Sequence, residues 1–165
     1  MLLYNKLLFA FSTLLFISAC HAGAPSKIAG KSSNHNGLVA IKSAHNVATT
    51  ADRLESVLKS KGMTVFSRID HAENAKKVGL DLNPTQVILF GNPKVGTRLM
   101  QCEQTIAIDL PQKALIWKDD KGTVWLSYND PMYLADRHAI TGCSKVLEKI
   151  SMALGNFAKK ATSAK

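Results

Sequence analysis

The spacing of apolar residues changes several times along the chain, and each change marks an element. The first apolar stretch is "LLFAFSTLLFI", an uncharged run from Leu7 to Ile17. It is too short to span a bilayer as a helix and suits the apolar region of a signal peptide. "HAGAPSKIAGKSSNHN", His21 to Asn36, has no apolar period and reads as a flexible tether. Short strands are predicted at Gly37 to Ser43, Met63 to Ile69 and Thr85 to Gly91, each rich in β-forming residues. Between the first two, Val47, Ala51, Leu54 and Leu58 recur at helical spacing. Thr49 with Asp52 reads as the capping box of that helix, and Gly62 as its stop. Asp70 and Glu73 start a short helix that ends at Gly79. "VGTRLMQ" supplies about two further helical turns. Gln112 to Tyr128 reads as a β-hairpin turning at Asp119 to Gly122, and Asp130-Pro131 opens a short helix. In the last helix Val146, Leu147, Ile150, Leu154 and Phe157 form one stripe. The order is β-α-β-(α)-β-(α)-β-β-α. It predicts an α+β domain with helices packed on one antiparallel sheet.

Composition changes this picture little. The chain has 165 residues and 46% hydrophobic content, enough for one domain with a core. The residues after the Leu7–Ile17 run matter more. "ISAC", Ile17 to Cys20, is an aliphatic residue, two small residues and a cysteine, and it resembles a bacterial lipobox. In such signals the cysteine becomes the lipidated first residue, so Cys20 is the expected lipidation site and the membrane the expected partner. The alternative is ordinary secretion after a nearby cut, but Pro25 following "AGA" disfavours it. The expected organisation is signal peptide 1–19, tether 20–36, domain 37–160 and tail 161–165. The expected place is the cell envelope, anchored and facing the periplasm. The formal charge is +9, and removing residues 1–19 takes one Lys and no acidic residue, leaving +8. A basic cytosolic protein would suggest nucleic acid. Outside the cytoplasm that partner is not expected, and lipid headgroups or envelope polysaccharides are the polyanions at hand.

Several stretches match a known pattern. "IDHAENA", "FGNP", "GTRLM" and "DLP" stand at related spacing within "GMTVFSRIDHAENAKKVGLDLNPTQVILFGNPKVGTRLM" and "IDLPQKALIWKDDKGTVWLSYNDPMYLADRH". On these residues the chain resembles the family of the domain of unknown function numbered 302, over roughly residues 37–160. The resemblance implies a β-α-β4-α fold similar to the TATA-box-binding-protein architecture, and often a homodimer. It implies no reaction, and shared architecture with a DNA binder does not carry over DNA binding.

The chemistry-bearing residues form no complete catalytic set. "GNPKVGT" lacks the Gly-Lys-Ser/Thr ending of a phosphate loop, and Pro93 removes a backbone donor. Gly91 and Asn92 tolerate positive φ, so the stretch reads mainly as a turn. A small anion site at the start of a helix near Thr97, aided by Arg98, is the alternative. His71 follows a strand between Asp70 and Glu73 and could serve as a base or metal ligand. His138 is the second such histidine. His21, His35 and His45 fall in the tether or at its edge. No HExxH or CxxC occurs, and Met100, Cys102, Met132, His71 and His138 are a scattered pool of soft ligands, so neither metal nor cofactor is assigned. Cys102 and Cys143 are expected to form a disulfide in an oxidising compartment; buried thiols or a cysteine nucleophile are the alternatives. Trp117 and Trp125 stand in opposite hairpin arms and suit a pocket, a dimer interface or the core. The expected function is non-catalytic binding of a small ligand or metal, with His71, Gly91, Asn92, Pro93 and Arg98 meeting at one sheet end. An envelope enzyme using His71 with an acidic or cysteine partner, and a dimeric scaffold, are the rivals.

Overall fold

The computed structural model describes residues 36–164. Cys20, the expected signal peptide, His21, His35 and nearly all of the expected tether lie outside the described residues. The elements run β1 (Leu38–Lys42), α1 (Val47–Ser60), β2 (Thr64–Asp70), α2 (His71–Lys77), β3 (Thr85–Gly91) and α3 (Pro93–Cys102). A 3-10 helix (Gln104–Asp109) comes next, then β4 (Gln112–Lys118), β5 (Val124–Asn129), α4 (Pro131–Arg137) and α5 (Ser144–Thr162). The five strands form one sheet in the order β1-β5-β4-β3-β2, antiparallel throughout.

Strand alternation decides where the core sits. On one face Val39, Ile88, Phe90, Ala114, Ile116, Leu126 and Tyr128 are buried against α1 and α5. α1 presents Val47, Ala51, Leu54 and Leu58, the stripe expected from the sequence. α5 presents Leu154, Phe157, Ala158 and Ala161. The opposite face carries half-buried Ile69, Val87, Leu115, Trp117 and Trp125, and Trp117 pairs directly with Trp125 across β4 and β5. A smaller apolar cluster of Leu99, Ile106, Leu134, Ala135, Cys143 and Leu147 binds α3, the 3-10 helix and α4 to the start of α5.

Local signals explain most boundaries. Asp119 makes the hairpin turn, accepting from the backbone N–H groups of Lys121 at 3.0 Å and Thr123 at 2.8 Å. Its other oxygen accepts from Trp125 Nε1 at 2.8 Å, and that bond holds the carboxyl below its ordinary pKa. Gly37 sits at φ 72° with the Tyr133 ring against its α-carbon, so no side chain fits there. Three expectations need correction. α1 is capped by Asn46, which accepts from Thr49 N at 2.8 Å, not by a box at Thr49. Thr50 is buried inside the first turn and donates to Asn46 O, which leaves the cap one turn earlier than expected. His45 is part of the fold: its Nε2 lies 2.9 Å from Ser163 O. α5 runs on to Thr162 with Ala161 and Thr162 buried, so the folded part extends past residue 160.

Candidate functional site

β3 ends at Gly91, and Asn92 caps α3 by accepting from Lys94 N at 3.0 Å. Pro93 stands in the first turn, where its missing N–H costs nothing. Beyond the turn, a cavity of about 450 Å3 lies between α3, α5 and the adjoining sheet end. Its walls come from four places. The sheet end gives Met63, Phe66 and Gly91; the turn and α3 give Asn92, Pro93, Val95, Gly96, Thr97, Leu99 and Met100. The segment before β4 gives Ala107, Leu110, Pro111 and Gln112. One face of α5 gives Lys149, Ile150, Ala153, Leu154 and Phe157. Most walls are apolar, with Asn92, Thr97, Gln112 and Lys149 as the polar side chains.

Two features open this space. The pairing of β2 with β3 shifts between Val65 and Ser67, so Phe66 is an extra, bulged residue. It stands 54% exposed at the mouth, its ring near Gly91. On α3, a side chain added at Gly96 would first meet Leu110, 3.9 Å from its Cβ. A mid-helix glycine costs about 1 kcal/mol against alanine; here it leaves cavity volume. Gly91 itself is extended strand without positive φ, and Asn92 has φ −125°, which corrects the positive-φ expectation.

His71 is not at this cavity. β2 and β3 are antiparallel with Thr64 opposite Gly91 and Asp70 opposite Gln86. His71 therefore lies at the far end of the pair, about 20 Å along the strands from the Gly91 turn. It is exposed at the start of α2. Asp70 caps that helix, accepting from Glu73 N at 2.9 Å and from Gln86 Nε2 at 2.7 Å. The backbone bond from Glu73 holds the Asp70 carboxyl below its ordinary pKa. Arg98 is exposed on α3 outside the cavity lining, and Thr97 falls one turn inside the helix, so the expected anion site is not formed.

His138 is nearly buried beside α4. Its Nε2 lies 2.7 Å from Asp109 Oδ2 and its Nδ1 3.1 Å from Thr105 Oγ1. The set looks like hydroxyl, imidazole and carboxylate in line. Thr105, however, gives its hydroxyl proton to Glu103 Oε1 at 2.7 Å. Its oxygen then faces His138 as an acceptor, so the imidazole does not draw off that proton. The group fastens the 3-10 helix to α4. Among the described residues no three His, Cys, Asp or Glu side chains gather into a metal-holding group. Cys102, at the end of α3, and Cys143, at the start of α5, are at disulfide distance with Cα atoms 6.5 Å apart.

Residues 39–157 match the family described as "Domain of unknown function DUF302". The chain belongs to the DUF302 family. A crystal structure of an uncharacterized conserved DUF302 protein from Bacillus stearothermophilus superposes with a TM-score of 0.69. It is 20% identical and the match covers 76% of this chain and 98% of that one, which supports the fold alone. The chain is also 51% identical over 114 residues to "Fluoride-specific ion channel FluC 1" of Brucella suis biovar 1 and of Brucella abortus biovar 1. That segment is 69% of this chain but 45% and 42% of those relatives, so it spans less than half their length. Among the described residues, no helix is long and apolar enough to cross a membrane.

Within the DUF302 domain the family stretches divide between the two sheet ends. "FGNP", "GTRLM" and "DLP" all reach the cavity, through Gly91–Pro93, through Gly96, Thr97, Leu99 and Met100, and through Leu110–Pro111. "IDHAENA" does not. Reading from sequence missed Met63, Phe66, Gln112 and the α5 wall, because each looks like ordinary core or surface. The faint signal was three small residues in three different elements, Gly96, Ala107 and Ala153, all of which line the cavity.

Proposed function

We propose that this DUF302 domain is a non-catalytic binding or sensing module whose small organic ligand sits in the cavity between α3 and α5. The cavity itself carries the reading: about 450 Å3 of space with mostly apolar walls, within the range of small-molecule sites. Met63 and Met100 add flexible, polarizable surface that adapts to ligand shape. Walls of this kind suit an organic molecule better than a metal ion. They also differ from the polar path that fluoride requires, and the channel name of the Brucella relatives attaches to chains more than twice the matched length. The enzyme alternative has little support, since His71 stands exposed far from the cavity and Thr105 is committed to Glu103.

The test is displacement of space. N-phenyl-1-naphthylamine, a neutral dye that brightens in apolar sites, should bind the purified protein. Gly96→Leu puts a better helix former into the cavity, so the variant should stay folded and bind the dye about tenfold more weakly. A dye that does not bind, or that binds both proteins equally, refutes the reading.

The dimeric alternative has one observation in its favour, the half-buried Trp117, Trp125, Leu115 and Val87 on the outer sheet face. Light scattering that gives a monomer throughout the micromolar range would remove it. For location, we propose a lipid anchor at Cys20 facing the periplasm. "ISAC" after the uncharged run supports it, as does a cysteine pair at disulfide distance, which suits an oxidising compartment.

A further inference from the structure

The cavity is not uniformly apolar, and its two strongest polar features point the same way. Gln112 opens β4 on the inner face, opposite Phe90, and lines the cavity while only 7% exposed. Its side-chain amide has no hydrogen-bond partner among the described residues, and its polar atoms stay open to the cavity rather than sealed in the core. A ligand that fills the cavity displaces water from this amide, and leaving its donors and acceptor unpaired would then be costly. Lys149 is the second feature. It is the only charged side chain lining the cavity, it lies exposed on α5, and it forms no ion pair among the described residues. Among the described residues no carboxylate lines the space to balance it.

Building on the binding reading above, we propose that the ligand is a single-chain amphipathic carboxylic acid. Its tail lies against Met63, Leu99, Leu154 and Phe157. Its carboxylate accepts from the Gln112 amide and is countered by Lys149. A wholly apolar ligand would leave Gln112 unpaired and make no use of Lys149. A cationic amphiphile would be repelled by Lys149 and would find no anion. A charged hydrogen bond is about twice as strong as a neutral one, so a carboxylate gains most from this pair.

Competition against the neutral naphthylamine dye separates this proposal from the reading it rests on. The full chain is titrated with dodecanoate, dodecanol, dodecylamine and dodecyl phosphate, each below its micelle-forming concentration. Dodecanoate should displace the dye at about tenfold lower concentration than the alcohol or the amine. Lys149→Met, an exposed substitution that the fold tolerates, should weaken dodecanoate about tenfold and leave dodecanol unchanged. Gln112→Leu, close to isosteric, should keep the fold by circular dichroism, weaken dodecanoate and hold the dye at least as tightly. Equal displacement by acid and alcohol overturns the acid proposal while the cavity reading stands. Preference for dodecyl phosphate overturns the carboxylate in favour of a phosphate headgroup. Loss of acid preference in neither variant overturns the roles of Gln112 and Lys149. Failure of the dye itself to bind removes the binding reading and this proposal together.

Discussion

A bridge between Cys102 and Cys143, which stand at disulfide distance, would offer the largest single perturbation that the structure makes calculable. The two cysteines are 41 residues apart, and between them lie the 3-10 helix, the β4–β5 hairpin and α4. Closing a loop of that length removes conformational freedom from the unfolded chain worth about 4 kcal/mol in the chain-entropy account. Total stability for a domain of this kind is only about 5–15 kcal/mol. Such a bridge would therefore be a large fraction of it. The sensible variant is Cys102→Ser with Cys143→Ala, because Cys102 is exposed and Cys143 is buried among Leu99, Ile106, Leu134 and Leu147. Removing the bridge should lower Tm by roughly 10–15 °C. Urea unfolding should show a lower midpoint and a steeper slope, since the uncrosslinked denatured chain exposes more surface. Reductant should reproduce the shift in the wild type and add nothing in the variant. Since α3 and α5 both wall the cavity, dye binding should weaken as well. A non-reducing peptide map that joins either cysteine to Cys20, or finds both free, refutes the reasoning. So does an unchanged urea midpoint.

Two other parts of the chain give testable outcomes. Tyr128 is 3% exposed, and burial, aided by the Asp130 charge, pushes its phenol up to about 12. The unfolded chain ionises near 10, so the stability linked to Tyr128 is present below pH 10 and lost as pH rises through 12. Tyr128→Phe should flatten the alkaline limb of a stability–pH curve, and an identical limb would refute the linkage. Cys20→Ala should release the protein from the membrane fraction or block its processing. Normal maturation and anchoring of that variant would rule out the lipobox.

How far the sequence could be read depended on whether a feature was local. The α1 stripe, the Asp119 turn, the Asp70 cap and the Thr85–Gly91 strand were legible because each is set within a few residues. The Asn46 cap was missed because Asn46 and Thr49 are both competent caps, and the choice depends on the burial of Thr50 against Ser43 across the β1–α1 loop. The site failed for a different reason. His71 and Gly91 both end strands, and the sequence placed them together on that ground. In an antiparallel pair, however, the end of one strand meets the beginning of its neighbour. Thr64 pairs with Gly91, and His71 is carried to the opposite end. Met63, just before β2, was the residue to put beside "FGNP". The α5 wall was harder still. Ile150, Leu154 and Phe157 belong to one apolar stripe, and nothing in a stripe tells which members meet a packed neighbour and which meet a void. That distinction depends on where α3 leaves the sheet, which the Asn92-Pro93 turn sets, and on the side chain that Gly96 lacks. A cavity in an apolar protein is thus written in the sequence mainly as missing volume, and missing volume has no period.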